Sequence, residues 1–244
     1  MEITKELSEL IGIIIGDGNI HYNQKTRKYY IEITGNLNER KFFAHISNLF
    51  KILINKPGNI RINRGLRLRV YNKEFVEFLI YNLELHYNKG KCYSVEIPNK
   101  IYKNNNYVSS CLRGIFDTDG SYFLADKGYR KDYPCIEIST CSANLSKQII
   151  KILENKFRVK HRTEIKENLR NRQIISLNGE IETDKWFDLI GSSNPNKLNK
   201  YLKFKSSKYL NNAPPHKNIS RGGSSVWETS NQKGYWPKST RLKI

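Results

Sequence analysis

The sequence predicts an α+β protein in which one helix–strand–strand–helix–strand–strand–helix unit is used twice. Three observations predict it. A glycine-bearing apolar run ending in Asp-Gly occurs as Leu10-Ile11-Gly12-Ile13-Ile14-Ile15-Gly16-Asp17-Gly18 and again as Leu112-Arg113-Gly114-Ile115-Phe116-Asp117-Thr118-Asp119-Gly120, 102 residues on (17 to 119). The strand-like Ile31-Glu32-Ile33-Thr34 recurs as Ile136-Glu137-Ile138-Ser139, 105 residues on (31 to 136). A helix-periodic segment follows each strand pair. Self-similarity in the same order points to a duplicated structural unit.

The first element of each half is a buried helix. Leu7, Leu10, Ile11, Ile14 and Ile15 leave little polar face, and a helix apolar nearly all round must be covered, here by another helix. Gly12 and Gly16 lie on one face. Each glycine costs a helix about 1 kcal/mol against alanine, a cost that makes sense where two backbones approach closely. Gly114 and Thr118 are the matching small positions. Gly18 and Gly120 are expected as left-handed caps.

This arrangement sets Asp17 and Asp119 side by side at two helix C-termini. The helix dipole and their mutual repulsion both disfavour that. A divalent cation relieves both. Hard cations such as Mg²⁺ prefer oxygen ligands and keep water, which leaves room for phosphate. Such a pair suits metal-assisted phosphodiester hydrolysis. The plainer alternative is two Asp-Gly turns; duplication inside one repeat favours the paired site.

The remaining elements follow in order. A hairpin holds Tyr22, Gln24, Lys25, Arg27 and Lys28. Phe42, Ile46, Leu49, Phe50 and Leu53 share one helical face, as do Leu145, Ile149, Ile152 and Leu153 in the second half. Leu66-Arg67-Leu68-Arg69-Val70 alternates as a half-buried strand does, and Thr163-Glu164-Ile165-Lys166 alternates less cleanly. A further helix is expected around Phe75, Phe78 and Leu79, then around Trp186, Leu189 and Ile190. The expected division is a first repeat over 1–98, a connection over 99–106 marked by three asparagines, a second repeat over 107–205, and a basic, flexible extension over 206–244. That extension is rich in Ser, Gly, Asn and Lys, and lacks sustained periodicity. Its Trp227, Tyr235 and Trp236 suit stacking on nucleic acid or packing against the second half.

The 244 residues hold 42 Lys+Arg against 23 Asp+Glu, a net charge of +19. Such an excess points to a polyanion, with nucleic acid the default partner; a merely basic protein is the alternative. No apolar stretch is long enough to span a membrane, and the N-terminus lacks a signal core. An intracellular location is expected: cytoplasm, nucleoid or an organelle. Cys92, Cys111, Cys135 and Cys141 form no CxxC pair, so reduced structural thiols are expected rather than zinc ligands.

The nucleic-acid contacts can be read from the strands. Arg67 and Arg69 face away from the helices, with Arg61, Asn63 and Arg64 nearby. The second half offers Lys127, Arg130, Lys131, Lys166, Arg170, Arg172 and Gln173. Arg and Lys suit guanine edges and phosphates, Asn and Gln adenine edges. Tip residues such as Lys25 and Arg170 suit phosphates. Solvated surface charge is the alternative for any one of them. Binding should weaken steeply with salt.

The two runs resemble the motif of the LAGLIDADG homing endonucleases, monomeric two-repeat type. LRGIFDTDG is near the consensus. LIGIIIGDG is more degenerate, with Ile15 at the sixth position, and both keep the penultimate acid. Asn88-Lys89-Gly90-Lys91 with Ile97-Pro98, and the stretch from Ile190 to Leu202, are similar to segments of archaeal-type members, so the likeness spans about residues 5–205. The resemblance implies two pseudo-twofold-related αββαββα units, motif helices packed at the centre, and two four-stranded saddle sheets on double-stranded DNA.

It implies a monomer cutting both strands of a long site with Mg²⁺, in sites that Mn²⁺ or Ca²⁺ can also occupy. Asp17 and Asp119 would bind the metal, with Gly16 and Thr118 beside them. Asp117 is expected to cap or pack. Members often place Gln or Lys where this chain has Gly35-Asn36 and Thr140-Cys141, and the basic role is expected of Lys91 and Lys197. No splicing nucleophile opens the chain and no His-Asn closes it, so a free-standing, intron-encoded protein is expected. The alternative is a cleavage-deficient RNA maturase or regulator on the same scaffold.

Overall fold

The computed structural model describes residues 1–88, 91–128, 130–165 and 171–212. Residues 213–244, with Trp227, Tyr235 and Trp236, lie outside the described residues, as do Lys166 and Arg170.

Helix α1 (Lys5–Gly16) starts where the Thr4 hydroxyl accepts a hydrogen bond from the Leu7 N–H at 3.2 Å. It is followed by strands β1 (Gly18–Asn23) and β2 (Lys28–Gly35), helix α2 (Arg40–Ile54), strands β3 (Asn59–Ile62) and β4 (Leu66–Val70), and helix α3 (Lys73–Glu77), which continues as a π-turn over Phe78–Asn82. A short helix α4 (Asn99–Tyr102) leads into the second unit. That unit is α5 (Asn105–Asp119), β5 (Gly120–Ala125), β6 (Tyr133–Thr140), α6 (Ala143–Glu154), β7 (Lys160–Glu164), β8 (Arg172–Asn178) and α7 (Glu180–Leu189), closed by α8 (Pro195–Asn212). The two four-stranded sheets run β1-β2-β4-β3 and β5-β6-β8-β7, antiparallel throughout. This is the αββαββα duplication the sequence predicts.

Helices α1 and α5 form the centre. Every residue of α1 from Leu7 to Ile15 is buried, which a helix achieves only when covered on all sides. A Cβ on Gly12 would lie 2.1 Å from the Cys111 carbonyl oxygen, and one on Gly114 would lie 2.2 Å from that of Glu9. The backbones therefore touch at these two glycines, and a Cβ on Gly16 would collide with Thr118 Oγ1 at 2.0 Å.

Gly18 and Gly120 are not the left-handed caps that the sequence predicts. Each opens a strand, Gly120 with φ −95° and ψ 166°. Glycine is needed there for closeness: a Cβ would lie 2.5 Å from Ile14 Cα or 2.6 Å from the Phe116 carbonyl oxygen.

Each sheet turns one face to the helices. In the first, Ile20, Ile31, Ile33, Leu66, Leu68 and Val70 are buried beneath Phe42, Phe43, Ile46 and Phe50 of α2. In the second, Tyr122, Ile136, Ile138, Ile175 and Leu177 play that part beneath Leu145, Ile149 and Leu153 of α6. Trp186 of α7 fills the second core, its ring 5.0 Å from Phe116.

Three sequence expectations need correction in the second half. The strand expected at 163–166 is Lys160–Glu164, largely exposed, with Ile165 beyond it at 78% exposure. The buried strand is instead Arg172–Asn178, whose Ile174, Ile175, Ser176 and Leu177 are buried without alternation. Leu189 is exposed while Ile190 is buried. Helix α8 also runs on to Asn212, into the segment expected to be an extension. Phe187 of α7 stacks on its Tyr201 at 3.9 Å and 11°.

The halves are laced together by two reciprocal straps. After α3, residues 94–97 cross to the second half: Ser142 Oγ donates to the Val95 carbonyl at 2.7 Å, and Gln148 bonds both backbone groups of Ile97. After α7, residues 192–196 cross to the first: Asn194 Nδ2 donates to Glu39 at 3.0 Å, and Asn196 Nδ2 to the Asn38 carbonyl at 3.2 Å.

Candidate active site and DNA face

The C-terminal ends of α1 and α5 converge. Asp17 caps α1 in the helical region (φ −92°), its N–H donating to the Ile13 carbonyl at 3.1 Å. Asp119 is the last residue of α5. Its Oδ2 lies 3.3 Å from where a Cβ on Gly16 would stand, next to Asp17 in the chain. Thr118 turns its hydroxyl back onto the Gly114 and Ile115 carbonyls at 2.9 and 3.0 Å, so the side chain packs against Gly16 while its oxygen is used within the helix.

Lys197 reaches this junction from α8. Its Nζ donates to the carbonyl oxygens of Phe116 (2.5 Å) and Gly120 (2.6 Å), tying down the end of α5. Burial pulls the ammonium down to about 8, against the opposing pull of the carboxylates of Asp117, Glu39, Asp17 and Asp119. One half-buried lysine thus lies within electrostatic reach of both aspartates. Lys91 opens a 3₁₀ turn (Lys91–Tyr93); its side chain lies outside the described residues.

Around the junction lie Asp117, which the sequence expects to cap or pack, and Asn194 and Glu39, which sequence reasoning missed. Asp117 is buried and accepts from Ser192 Oγ and, at 2.7 Å, from the Ser193 N–H. Burial pushes it up to about 6, against those bonds and Lys197. Asn194 joins Glu39 to the Asp117 carbonyl. Glu39 accepts from the Asn36 N–H at 2.9 Å, and its Oε2 lies 2.9 Å from a Cβ built on Gly35. A carboxylate from the approach to α2 thus fills the place beside Gly35. Its only sequence signal is the Asn36-to-Glu39 spacing of a capping box.

A divalent cation fits the junction by its donor chemistry. Both helix ends carry a carboxylate, the oxygen donor that Mg²⁺ favours. Among the described residues no cluster of three or more His, Cys, Asp or Glu suits a metal, so Asp17 and Asp119 would leave most of its shell to water and phosphate.

The helix-free faces of the sheets carry the second set of candidates. Strand register puts Lys28, Arg61, Arg67 and Arg69 on the open face of the first sheet, with His21, Tyr30, Glu32 and Asn59, which sequence reading passed over. Glu32 holds both Arg67 (3.7 Å) and Arg69, so these guanidiniums are oriented by a shared carboxylate. Gln24, Lys25 and Arg27 form the β1–β2 tip and Asn63 and Arg64 the β3–β4 tip. Tyr22 points the other way. It follows Ile20 on the helix-facing side and packs on Tyr29, Tyr81 and Tyr87.

In the second half, Lys127 and Lys131 lie in the β5–β6 loop, and Arg172 pairs with Glu164 on the open face at 2.7 Å. Arg130 is drawn to Glu180 at the start of α7. Gln173 lies on the helix-facing side, bonded to Thr163 and His161. Lys160 and Arg162 occupy the open face instead.

No family model matches this sequence. In curated proteins, the chain is 33% identical over 121 residues to glutamine–fructose-6-phosphate aminotransferase of Methanocaldococcus jannaschii, covering 48% of this chain and 10% of that protein. It is 30% identical over 145 residues to an uncharacterized protein of the same organism (59% and 48% covered). It is 26% identical over 155 residues to a DNA polymerase of a Thermococcus species, strain GE8 (62% and 8% covered). The chain spans less than half the length of each.

Among solved structures it is similar to the homing endonuclease I-WcaI bound to its DNA recognition sequence (TM-score 0.56, 17% identity, 81% of this chain and 88% of that one). Variants of the homing endonuclease I-DmoI match with TM-score 0.55 and 18% identity (78% and 92%). Full-length WhiA of Thermatoga maritima matches with TM-score 0.53 and 18% identity (85% and 62%). The duplicated architecture and these likenesses define one class: the chain has the LAGLIDADG homing endonuclease fold. No helix among the described residues is long and apolar enough to cross a membrane.

Proposed function

We propose that this chain is a site-specific DNA endonuclease that makes a double-strand break at a long target by divalent-metal-assisted phosphodiester hydrolysis. The observation that carries this reading is the meeting of Asp17 and Asp119 at the touching ends of two buried helices, with Lys197 beside them. The open sheet faces would lie along the major groove, their arginines and lysines on bases and phosphates. The net charge of +19 supplies the attraction.

Asp17 and Asp119 would hold Mg²⁺, or Mn²⁺ or Ca²⁺ in its place. Such an ion would supply Lewis-acid stabilisation of the charge that develops in phosphodiester hydrolysis. Lys197 fixes the carbonyls of Phe116 and Gly120, and so holds the α5 terminus that presents Asp119. Its cation also offsets the crowded carboxylates. Asp117, engaged by Ser192 and Ser193, anchors the strap that carries Lys197 into place. We assign Lys91 the corresponding place in the first half from its sequence surroundings.

The test is to incubate the full chain and Mg²⁺ with a randomised double-stranded DNA library and sequence the cut ends. Recurrent ends at one long site are expected. Asp17→Asn and Asp119→Asn should bind that site without cutting it, and full cutting by either variant overturns the assignment. WhiA shares this fold, and binding without any cleavage would favour the regulator or maturase reading. Retention of both aspartates favours the nuclease.

A further inference from the structure

The open faces of the two sheets are built alike and filled differently. In the first sheet Tyr30 occupies the middle. His21 stacks on it with centroids 4.2 Å apart, and the Arg69 guanidinium lies 5.1 Å from its ring centre. The strand registers give each of these a counterpart. Phe123 stands opposite Cys135 as His21 stands opposite Tyr30, and Ser176 stands opposite Glu137 as Arg69 stands opposite Glu32.

One ring and two small side chains thus replace a stacked trio. What is left is a recess of about 530 Å³, lined by Phe123, Cys135, Ser176 and Asn178 and by the charged Glu137, Lys127, Lys160 and Arg162. Glu137 is held in place by Arg162 (3.0 Å) and Ser176 Oγ (3.1 Å).

The chemistry of this hollow differs from that of the first face. Guanidiniums match the paired acceptors of guanine. The Phe123 ring beside the Cys135 thiol matches the one apolar group on a major-groove edge, the C5 methyl of thymine, and an asparagine matches adenine N6 and N7. Lys160, in the same lining, suits a flanking phosphate. We propose that the second half reads a T·A pair in its half-site through this recess. The thymine methyl enters between Phe123 and Cys135, Asn178 serves the adenine edge, and the first half reads guanine through Arg67 and Arg69.

This rests on the reading of the open faces as DNA-binding, and the experiment separates the two. The full chain, with calcium as the only divalent ion, is used to select a double-stranded site by affinity. Each thymine of the selected site is then replaced singly by uracil, which deletes only the methyl. Expected is a loss of about fourfold in affinity at one thymine of one half-site, the worth of one buried methyl group. That loss should vanish in Phe123→Ala and persist in Arg69→Ala. Enriched DNA with no uracil-sensitive position, or a sensitive position unaffected by Phe123→Ala, overturns the recess while leaving DNA binding intact. No enriched sequence at all overturns both.

Discussion

The two halves agree at their centre and part company at their surface. Gly12 and Gly114 sit equally close to the opposing backbone, and Asp17 and Asp119 end equivalent helices. On the open faces, Arg67 and Arg69 of the first half correspond to Ile174 and Ser176 of the second, and Tyr30 corresponds to Cys135. Backbone contact tolerates no side chain, and a shared site needs one acid from each side. An exposed sheet face answers only to what it binds. The difference separates what packing fixes from what a ligand shapes.

The sharpest way to break the comparison is at the acids. Asp17→Asn and Asp119→Asn should each lower the cleavage rate on the order of a thousandfold, measured in single-turnover assays on the selected site. A variant that still nicks one strand at full rate would show that the halves act independently.

A cluster without a twin comes next. Glu9 of α1 is buried between His45 (2.6 Å) and Arg113 of α5 (3.3 Å), while Cys111 stands at its repeat-related position. Burial raises the Glu9 carboxyl, but His45, Ser193 and Arg113 outweigh it and hold it below its ordinary value. Glu9→Ala should cost about 3 kcal/mol in urea unfolding, because it leaves the Arg113 guanidinium and the His45 ring without their acceptor. Cys111→Ala should cost about 1 kcal/mol. The stability that Glu9 contributes is complete above the unfolded Glu value of 4.5 and is lost as pH falls through the lower folded one. Glu9→Gln should therefore flatten the unfolding midpoint below that pH, and an unchanged acid limb would remove Glu9 as its source.

Where the halves match, equal damage is expected. Gly12→Ala and Gly114→Ala each drive a Cβ into backbone, at 2.1 and 2.2 Å. Each should destabilise by about 2 to 3 kcal/mol. A neutral result for either would mean that the helices do not touch there.

The smallest effects test the faces. Removing Arg67 and Arg69 together should relax the preference for guanine in the first half-site and leave the slope of log affinity against log salt nearly unchanged. A slope shallower by about 1 for each would assign them to phosphates instead.

Much of this is legible in the sequence, for identifiable reasons. The motif helices stand out because burial on every side forces an unbroken apolar run, and β4 because one wet face forces Leu66-Arg67-Leu68 to alternate. Strand β8 of the second half is hidden because Ile174 and Ile175 are buried on opposite faces, which erases the alternation. Tyr22 and Gln173 mislead for another reason. Both lie near strand ends, where a half-buried polar residue on the helix side looks the same in sequence as one on the open face. Lys197, singled out from its neighbours in the chain, lies at the end of α5. Glu39 and Asn194 could not be singled out that way, because their meeting spans 155 residues and depends on one strap crossing to the other half.

That exchange of straps has a practical bearing on anyone recombining these repeats. Residues 94–97 leave the first half to seat on α6, and residues 192–196 leave the second to seat on the approach to α2. A hybrid made by joining one repeat to a foreign mate must therefore match each strap to a seat it did not evolve with. The junction that preserves folding is set by those hydrogen bonds, and a cut at the midpoint of the gene ignores them.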